Sequence, residues 1–199
     1  MSTIPQPLNK VYDLPVVSNH RNTDGLSDAD DLSVVLTIGG IEPESIVDGP
    51  GFRYTVFVQG CNLSCPGCHN AYLQTFKGGR RITVDEILDA IGDNPLLDGI
   101  TLSGGDPFTQ ARACATLAEE VHALGLSVMT YTGYTFEALW LANKPDWRRL
   151  IMASDTLVDG PFIRSLRNID LRFRGSSNQR LIDVRRTFAA GKIIVLAEE

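Results

Sequence analysis

The stretch Tyr54-Thr55-Val56-Phe57-Val58 runs directly toward Cys61-Asn62-Leu63-Ser64-Cys65-Pro66-Gly67-Cys68-His69-Asn70. The β-branched and aromatic run reads as a strand, and the C-x3-C-x2-C run reads as the loop that it feeds. Three closely spaced thiolates can hold three irons of a [4Fe–4S] cube, a cluster that usually takes four cysteines. A three-cysteine site leaves one iron open to a substrate or cofactor, and an open metal position marks catalytic rather than structural sites.

The competing reading is structural zinc, since zinc takes Cys3His tetrahedrally and His69 is near. Adjacent Cys68 and His69 chelate one ion awkwardly, and no second ligand pair follows at zinc-finger spacing. Spacing therefore favours iron–sulfur over zinc. The fourth cysteine, Cys114, lies in the alanine-rich stretch Ala111-Arg112-Ala113-Cys114-Ala115. It reads as a buried small hydrophobe; as a fourth ligand it would close the cluster and point to an electron carrier. A disulfide framework does not suit a chain of 199 residues with no secretory signal. These features lead us to expect a cytoplasmic protein, and no apolar run approaches membrane-spanning length.

Net charge is −6, and residues 1–50 carry all of it with two basic and eight acidic side chains. Residues 1–32 read as an acidic tail, with Pro, Asn, Ser and Asp breaking any periodicity, and 33–199 as one domain. Between 164 and 186 seven arginines face Asp170 and Asp183. That segment reads either as a solvated, salt-bridged face or as a docking surface for an acidic protein. Overall acidity and the lack of a recognition module argue against nucleic acid.

Strand and helix signals alternate. Strands are expected at 34–38, 54–58, 99–102, 126–131, 156–158, 181–182 and 192–196. Helices are expected at 83–93, opened by the capping box Thr83-Val84-Asp85-Glu86, and at 109–124, 135–143 and 146–153. The alternation implies an α/β fold with a parallel sheet and right-handed crossovers. The loops with chemical character all follow strands, so they gather at one edge of the sheet, where such folds bind ligands.

The run Ser45-Ile46-Val47-Asp48-Gly49-Pro50-Gly51-Phe52-Arg53, continuing into the three cysteines, resembles the glycyl-radical-enzyme activases of the radical S-adenosylmethionine (SAM) superfamily. Ser103-Gly104-Gly105-Asp106-Pro107, Tyr131-Thr132-Gly133-Tyr134, Leu157-Val158-Asp159-Gly160-Pro161-Phe162 and Arg174-Gly175-Ser176-Ser177-Asn178-Gln179-Arg180 are similar, in order, to motifs of the activating proteins of anaerobic ribonucleoside-triphosphate reductase. The resemblance spans roughly Ile46 to Asp183.

The resemblance implies a trimmed, partial (β/α) barrel of radical SAM type with mostly parallel strands. It implies one [4Fe–4S] cluster on Cys61, Cys65 and Cys68, with SAM bound at the open iron. Reduction would split SAM into methionine and a 5′-deoxyadenosyl radical, which takes a hydrogen from a glycine of the partner. Gly104 and Gly105 would bring backbone close to the methionyl end of SAM, with Asp106 adding negative charge. Gly67 would let the loop fold back on itself, and Cys68, His69 and Asn70 would flank SAM. Asp159 would orient the SAM carboxylate or cap a turn. Arg53 reads as a docking or structural residue.

The implied partners are anaerobic ribonucleotide reductase and a flavodoxin- or ferredoxin-type electron donor, with no nucleic acid and no membrane. His69-Asn70 also matches pyruvate formate-lyase activase, whereas Pro161 stands where that family has lysine. The alternatives are an activase of another glycyl radical enzyme and a non-catalytic zinc or electron-transfer module.

Overall fold

In the computed structural model residues 34–197 are described. The expected acidic tail, 1–32, lies outside them. Seven strands form one sheet: β1 (Val35–Ser45), β2 (Arg53–Val58), β3 (Arg80–Thr83), β4 (Gly99–Gly104), β5 (Ser127–Tyr131), β6 (Thr156–Asp159) and β7 (Arg180–Asp183). Their spatial order is β3-β1-β2-β4-β5-β6-β7. The central strands β2, β4, β5 and β6 are parallel. The flanking pairs β1–β2, β1–β3 and β6–β7 are antiparallel. The sheet is thus mixed, parallel at its centre, and β3 and β7 are its edges.

Among the described residues four α-helices connect strands, α1 (Val84–Gly92), α2 (Ala111–Ala123), α3 (Phe136–Leu141) and α4 (Pro145–Met152), and a fifth, α5 (Val184–Ala190), follows β7. The expected capping box opens α1. Glu86 N donates to Thr83 Oγ1 at 3.1 Å and Thr83 N to Glu86 Oε2 at 2.7 Å, so two orphan donors of the first turn are satisfied. Helix α2 buries nearly every residue from Ala111 to Ala118. Small side chains let it lie close to the sheet, and Cys114 is fully buried among them, as its reading as core required.

Alternation along the strands builds two layers. Tyr54, Val56 and Val58 of β2 and Ile100 and Leu102 of β4 join an apolar core with Ile87 of α1, Leu117 and Val121 of α2, and Leu150 of α4. The intervening side chains Arg53, Thr55 and Thr101 are also buried, but polar. Arg53 is 1% exposed. It donates to Thr101 Oγ1 at 3.2 Å, to Ser127 Oγ at 2.6 Å and to the carbonyls of Ile100 and Ser127. Burial lowers its pKa to about 10. Of its two readings, docking or structural, the burial supports the structural one: it ties the starts of three parallel strands.

Two elements differ from expectation. The segment 192–196 makes an isolated bridge, Ile182 to Val195, rather than a strand. Before it stands α5, capped by Asp183, whose carboxylate accepts from Arg186 N at 2.8 Å, and closed by Gly191 at φ 63°. Strand β3 is also additional, pairing Val35–Ile38 of β1 with Arg80–Thr83. No helix among the described residues is long and apolar enough to cross a membrane.

Candidate functional site

The loops that follow β2, β4, β5 and β6 meet at the carboxyl ends of the parallel strands around a cavity of about 500 Å³. Cys61, Cys65, Cys68, His69 and Asn70 line it from the first loop, and Gly104, Gly105 and Asp106 from the second. Gly67 and Asp159 are not among the residues that line it. The parallel centre of the sheet therefore gathers at one edge the loops that the sequence scatters.

The cysteine loop is closed at its base by backbone bonds. Gly60 N donates to Leu73 O at 2.8 Å and Cys61 N to Gln74 O at 3.1 Å. Cys68 N donates to Cys65 O at 3.2 Å, and between them Gly67 takes φ +78°, a left-handed conformation that favours glycine. This is the tight fold-back expected of Gly67. All three thiols are half-buried. Burial pushes the Cys61 thiol up to about 11, although Leu63 N donates to its sulfur at 3.3 Å. A metal must therefore displace a proton there to bind.

The donor set fits an iron–sulfur cube. No group of three or more His, Cys, Asp or Glu among the described residues is gathered tightly enough to hold one ion. Cys61, Cys65 and Cys68 line one cavity from a single loop. A cube presents its irons at separate corners, so each of three such thiolates can take one of them. His69 packs its ring against Phe162, with centroids 5.2 Å apart.

Gly104 and Gly105 have a mechanical task that the sequence alone did not disclose. A Cβ on Gly104 would collide with the backbone of Phe57 and Val58, and one on Gly105 with Gly60. Their bareness lets the second loop lie directly on the root of the cysteine loop. Gly105 N donates to Val58 O at 2.7 Å and Asp106 N to Gly60 O at 2.9 Å. The Asp106 carboxylate, 1% exposed, then reaches on to the third loop. It accepts from Phe108 N at 3.0 Å, from Gly133 N at 3.0 Å and from Thr132 Oγ1 at 3.0 Å. Burial raises its pKa to about 6 in spite of these donors. Asn70 completes the join, with Nδ2 3.4 Å from Gly104 O.

A model of the family described as a 4Fe-4S single cluster domain matches residues 47–182, which contain all four loops. Anaerobic ribonucleoside-triphosphate reductase-activating proteins are similar over most of their length. That of Salmonella typhi is 37% identical over 145 residues, covering 69% of this chain and 92% of the relative. That of Escherichia coli K12 is 35% identical with the same coverage. That of enterobacteria phage T4 is 33% identical over 149 residues, covering 71% of this chain and 90% of the relative. This chain belongs to the anaerobic ribonucleoside-triphosphate reductase-activating proteins. A solved structure, QueE from Escherichia coli, overlaps 51% of this chain and 54% of its own at 15% identity with a TM-score of 0.38, too little to carry a fold assignment.

Within this activating protein the motif Arg174 to Arg180 forms the far wall of the cavity, through Arg174, Gly175 and Gln179. Asp159 is 1% exposed and engaged away from the cavity. It accepts from Phe136 N at 2.7 Å, capping the start of α3, and from Arg180 Nε at 3.0 Å. Of the two roles expected for it, this geometry supports the cap. Arg180 also donates to Glu137 Oε1 at 3.0 Å. The bonds to Asp159 push the Arg180 pKa up, so its charge is fixed.

Asp48, Phe162 and Gln179 are among the cavity residues absent from the sequence-derived site. Each lies inside a motif that the sequence singles out, yet none carries a chemical signal by itself. Asp48 reaches the cavity from the loop after β1, held by Ser45 Oγ at 2.6 Å.

Proposed function

We propose that this chain is a radical SAM activase that holds one [4Fe–4S] cluster on Cys61, Cys65 and Cys68 and generates a glycyl radical on anaerobic ribonucleoside-triphosphate reductase. The observation that carries the reading is the shared cavity, where three half-buried thiols face the bare backbone of Gly104 and Gly105. When bound, the reduced cluster supplies one electron that splits SAM into methionine and an adenosyl radical able to take a hydrogen atom from a glycine.

The chain's own residues do the positioning. Gly104 and Gly105 offer backbone polar groups to the methionyl end of SAM, and His69 and Asn70 form the adjoining wall. Asp106 acts through structure: it fixes the second loop to the third, and it lends negative charge to the side where an ammonium group would lie. Gly67 shapes the turn between Cys65 and Cys68. Asp159 positions α3 and Arg180 instead of touching SAM. In this reading the mixed sheet is that of a trimmed partial (β/α) barrel.

A flavodoxin- or ferredoxin-type protein supplies the electron in this reading, in the cytoplasm. The arginine-rich segment supports docking of such acidic partners in part. Arg164, Arg167 and Arg172 are exposed, whereas Arg174 lines the cavity and Arg180 is tied to Asp159 and Glu137.

Anaerobic reconstitution followed by metal and sulfide analysis tests the cluster. A single zinc without iron or sulfide would reject it. Incubating the reduced protein and SAM with the reductase should yield methionine, 5′-deoxyadenosine and a glycyl-radical resonance. A radical formed only on a different glycyl radical enzyme would reassign the partner and leave the chemistry standing.

A further inference from the structure

We propose that Gln179 is a positioning residue for the cysteine loop, acting across the cavity through Phe162. Its side-chain amide bonds to backbone through both the oxygen and the nitrogen. Oε1 accepts from Gly175 N at 2.9 Å and from Ser176 N at 3.2 Å, and Nε2 donates to Gly160 O at 3.0 Å. Asn178, the preceding residue, donates from Nδ2 to Pro161 O at 2.8 Å. Two consecutive amides thus grip two consecutive carbonyls of the turn after β6. The next residue in that turn is Phe162.

Phe162 has neighbours from its own segment and from the cysteine loop. A Cβ on Gly175 would come within 3.1 Å of its ring, so Gly175 is the close backing. The His69 ring, one residue from Cys68, lies with its centroid 5.2 Å from that of Phe162. A Cβ on Gly67 would reach the same ring at 3.6 Å. The wall built by β6 and β7 therefore ends as an aromatic buttress on the part of the loop that carries Cys65 and Cys68. Arg180 anchors the base of the clamp to Asp159 and Glu137.

The chemistry explains why residue 179 is an amide. The position must accept two N–H groups and donate to one C=O at once, and only Gln does this at that side-chain length. Glu would set a carboxylate against the Gly160 carbonyl. Leu would leave all three backbone groups unpaired. In the sequence this appears only as the string Ser-Asn-Gln; the contacts give it a task.

Backbone hydrogen exchange of the metal-free protein tests the idea, read separately for peptides covering 61–70 and for α2. Gln179→Glu should speed exchange in 61–70 by about fivefold, the effect of one net hydrogen bond, and leave α2 unchanged. Phe162→Ala should speed it by about tenfold, with the ring contact and packing both gone. If Gln179 acts through Phe162, the double variant exchanges no faster than Phe162→Ala alone.

Exchange in 61–70 that is unchanged in Gln179→Glu overturns the proposal. So do additive effects in the double variant, and so does a parallel rise in α2, which means that the whole domain has loosened. Ser177→Ala, whose exposed side chain lies outside the clamp, should match the unaltered protein. The measurement uses neither cluster nor SAM, so its outcome is independent of the activase reading, on which only the purpose of the positioning rests.

Discussion

The cysteine loop and the segment that faces it, 160–180, line the same cavity and are held in opposite ways. The cysteine loop leans on backbone closure at its base and on contact with neighbours, with Cys61 and Asn70 tied near its two ends. Its middle, from Ser64 to His69, is exposed or half-buried. The facing segment ties itself together through side chains: Gln179, Asn178, Arg174 and Ser176 each bond to backbone within it. The side proposed to receive a bulky inorganic ligand keeps its three cysteines out of disulfides. The side that must stay still spends its polar side chains on itself. Rigidity at such a site is supplied from across the cavity, because ligand atoms cannot also serve as struts.

The largest expected effect breaks the first side. Replacing Cys61, Cys65 or Cys68 by Ala should reduce iron incorporation and reductive SAM cleavage to background, whereas Cys114→Ala, in the core under α2, should retain both. Iron analysis beside methionine release checks this, and loss of iron in Cys114→Ala would reverse the ligand assignment. Arg180→Ala breaks the second side. It strands the buried Asp159 carboxylate and should cost about 2 to 3 kcal/mol by chemical denaturation, less than a wholly buried pair because Arg180 retains 31% exposure. A loss under 0.5 kcal/mol would show that the far wall is not held this way.

Reversing Arg164, Arg167 and Arg172 together leaves both sides intact and tests only the rim. Affinity for the reductase or the electron donor should fall about tenfold at low salt and converge with the unaltered protein at high salt. Equal affinity at low salt would remove the rim from the docking surface. The last prediction concerns the joint between the loops. Asp106 has a folded pKa of about 6, raised by burial above its ordinary 3.8. Its contribution to stability is therefore fully present below the unfolded value and declines as pH rises through the folded one. The stability difference between the unaltered protein and Asp106→Asn should shrink between about pH 4 and pH 6 and level off above. A difference that grows over that range would contradict the buried, raised carboxylate.

Much of this was legible in the residues. Thr83 and Glu86 announced α1 because a capping box is a local device, complete within four residues. The strands around Val56, Leu102 and Val158 were legible as short β-branched runs, and their parallel pairing brings the chemical loops to one edge as expected. Helix α5 was missed although Asp183 and Gly191 mark its two ends, because Val184, Thr187 and Phe188 between them favour strand. β3 was missed because Arg80 and Arg81 give no apolar alternation; its pairing with β1 decides it.

At the site, the cysteines were visible because three thiols at this spacing have few other uses. Gly104 and Gly105 were visible as turn residues, but their reason was not: their collision partners, Val58 and Gly60, lie far away in sequence. Gln179 and Phe162 were invisible as site residues because an amide and a phenyl ring state no chemistry until their neighbours are known.

All three thiols hang from a single loop that contributes nothing to the hydrogen-bond ladder of the sheet, whose core closes around Leu102, Leu117 and Leu150 without them. On the proposed ligand assignment, loss of the inorganic centre and collapse of the protein are expected to be separate events. A chain stripped of its iron should keep its sheet and core, with the three thiols still carried on one turn and open to reloading.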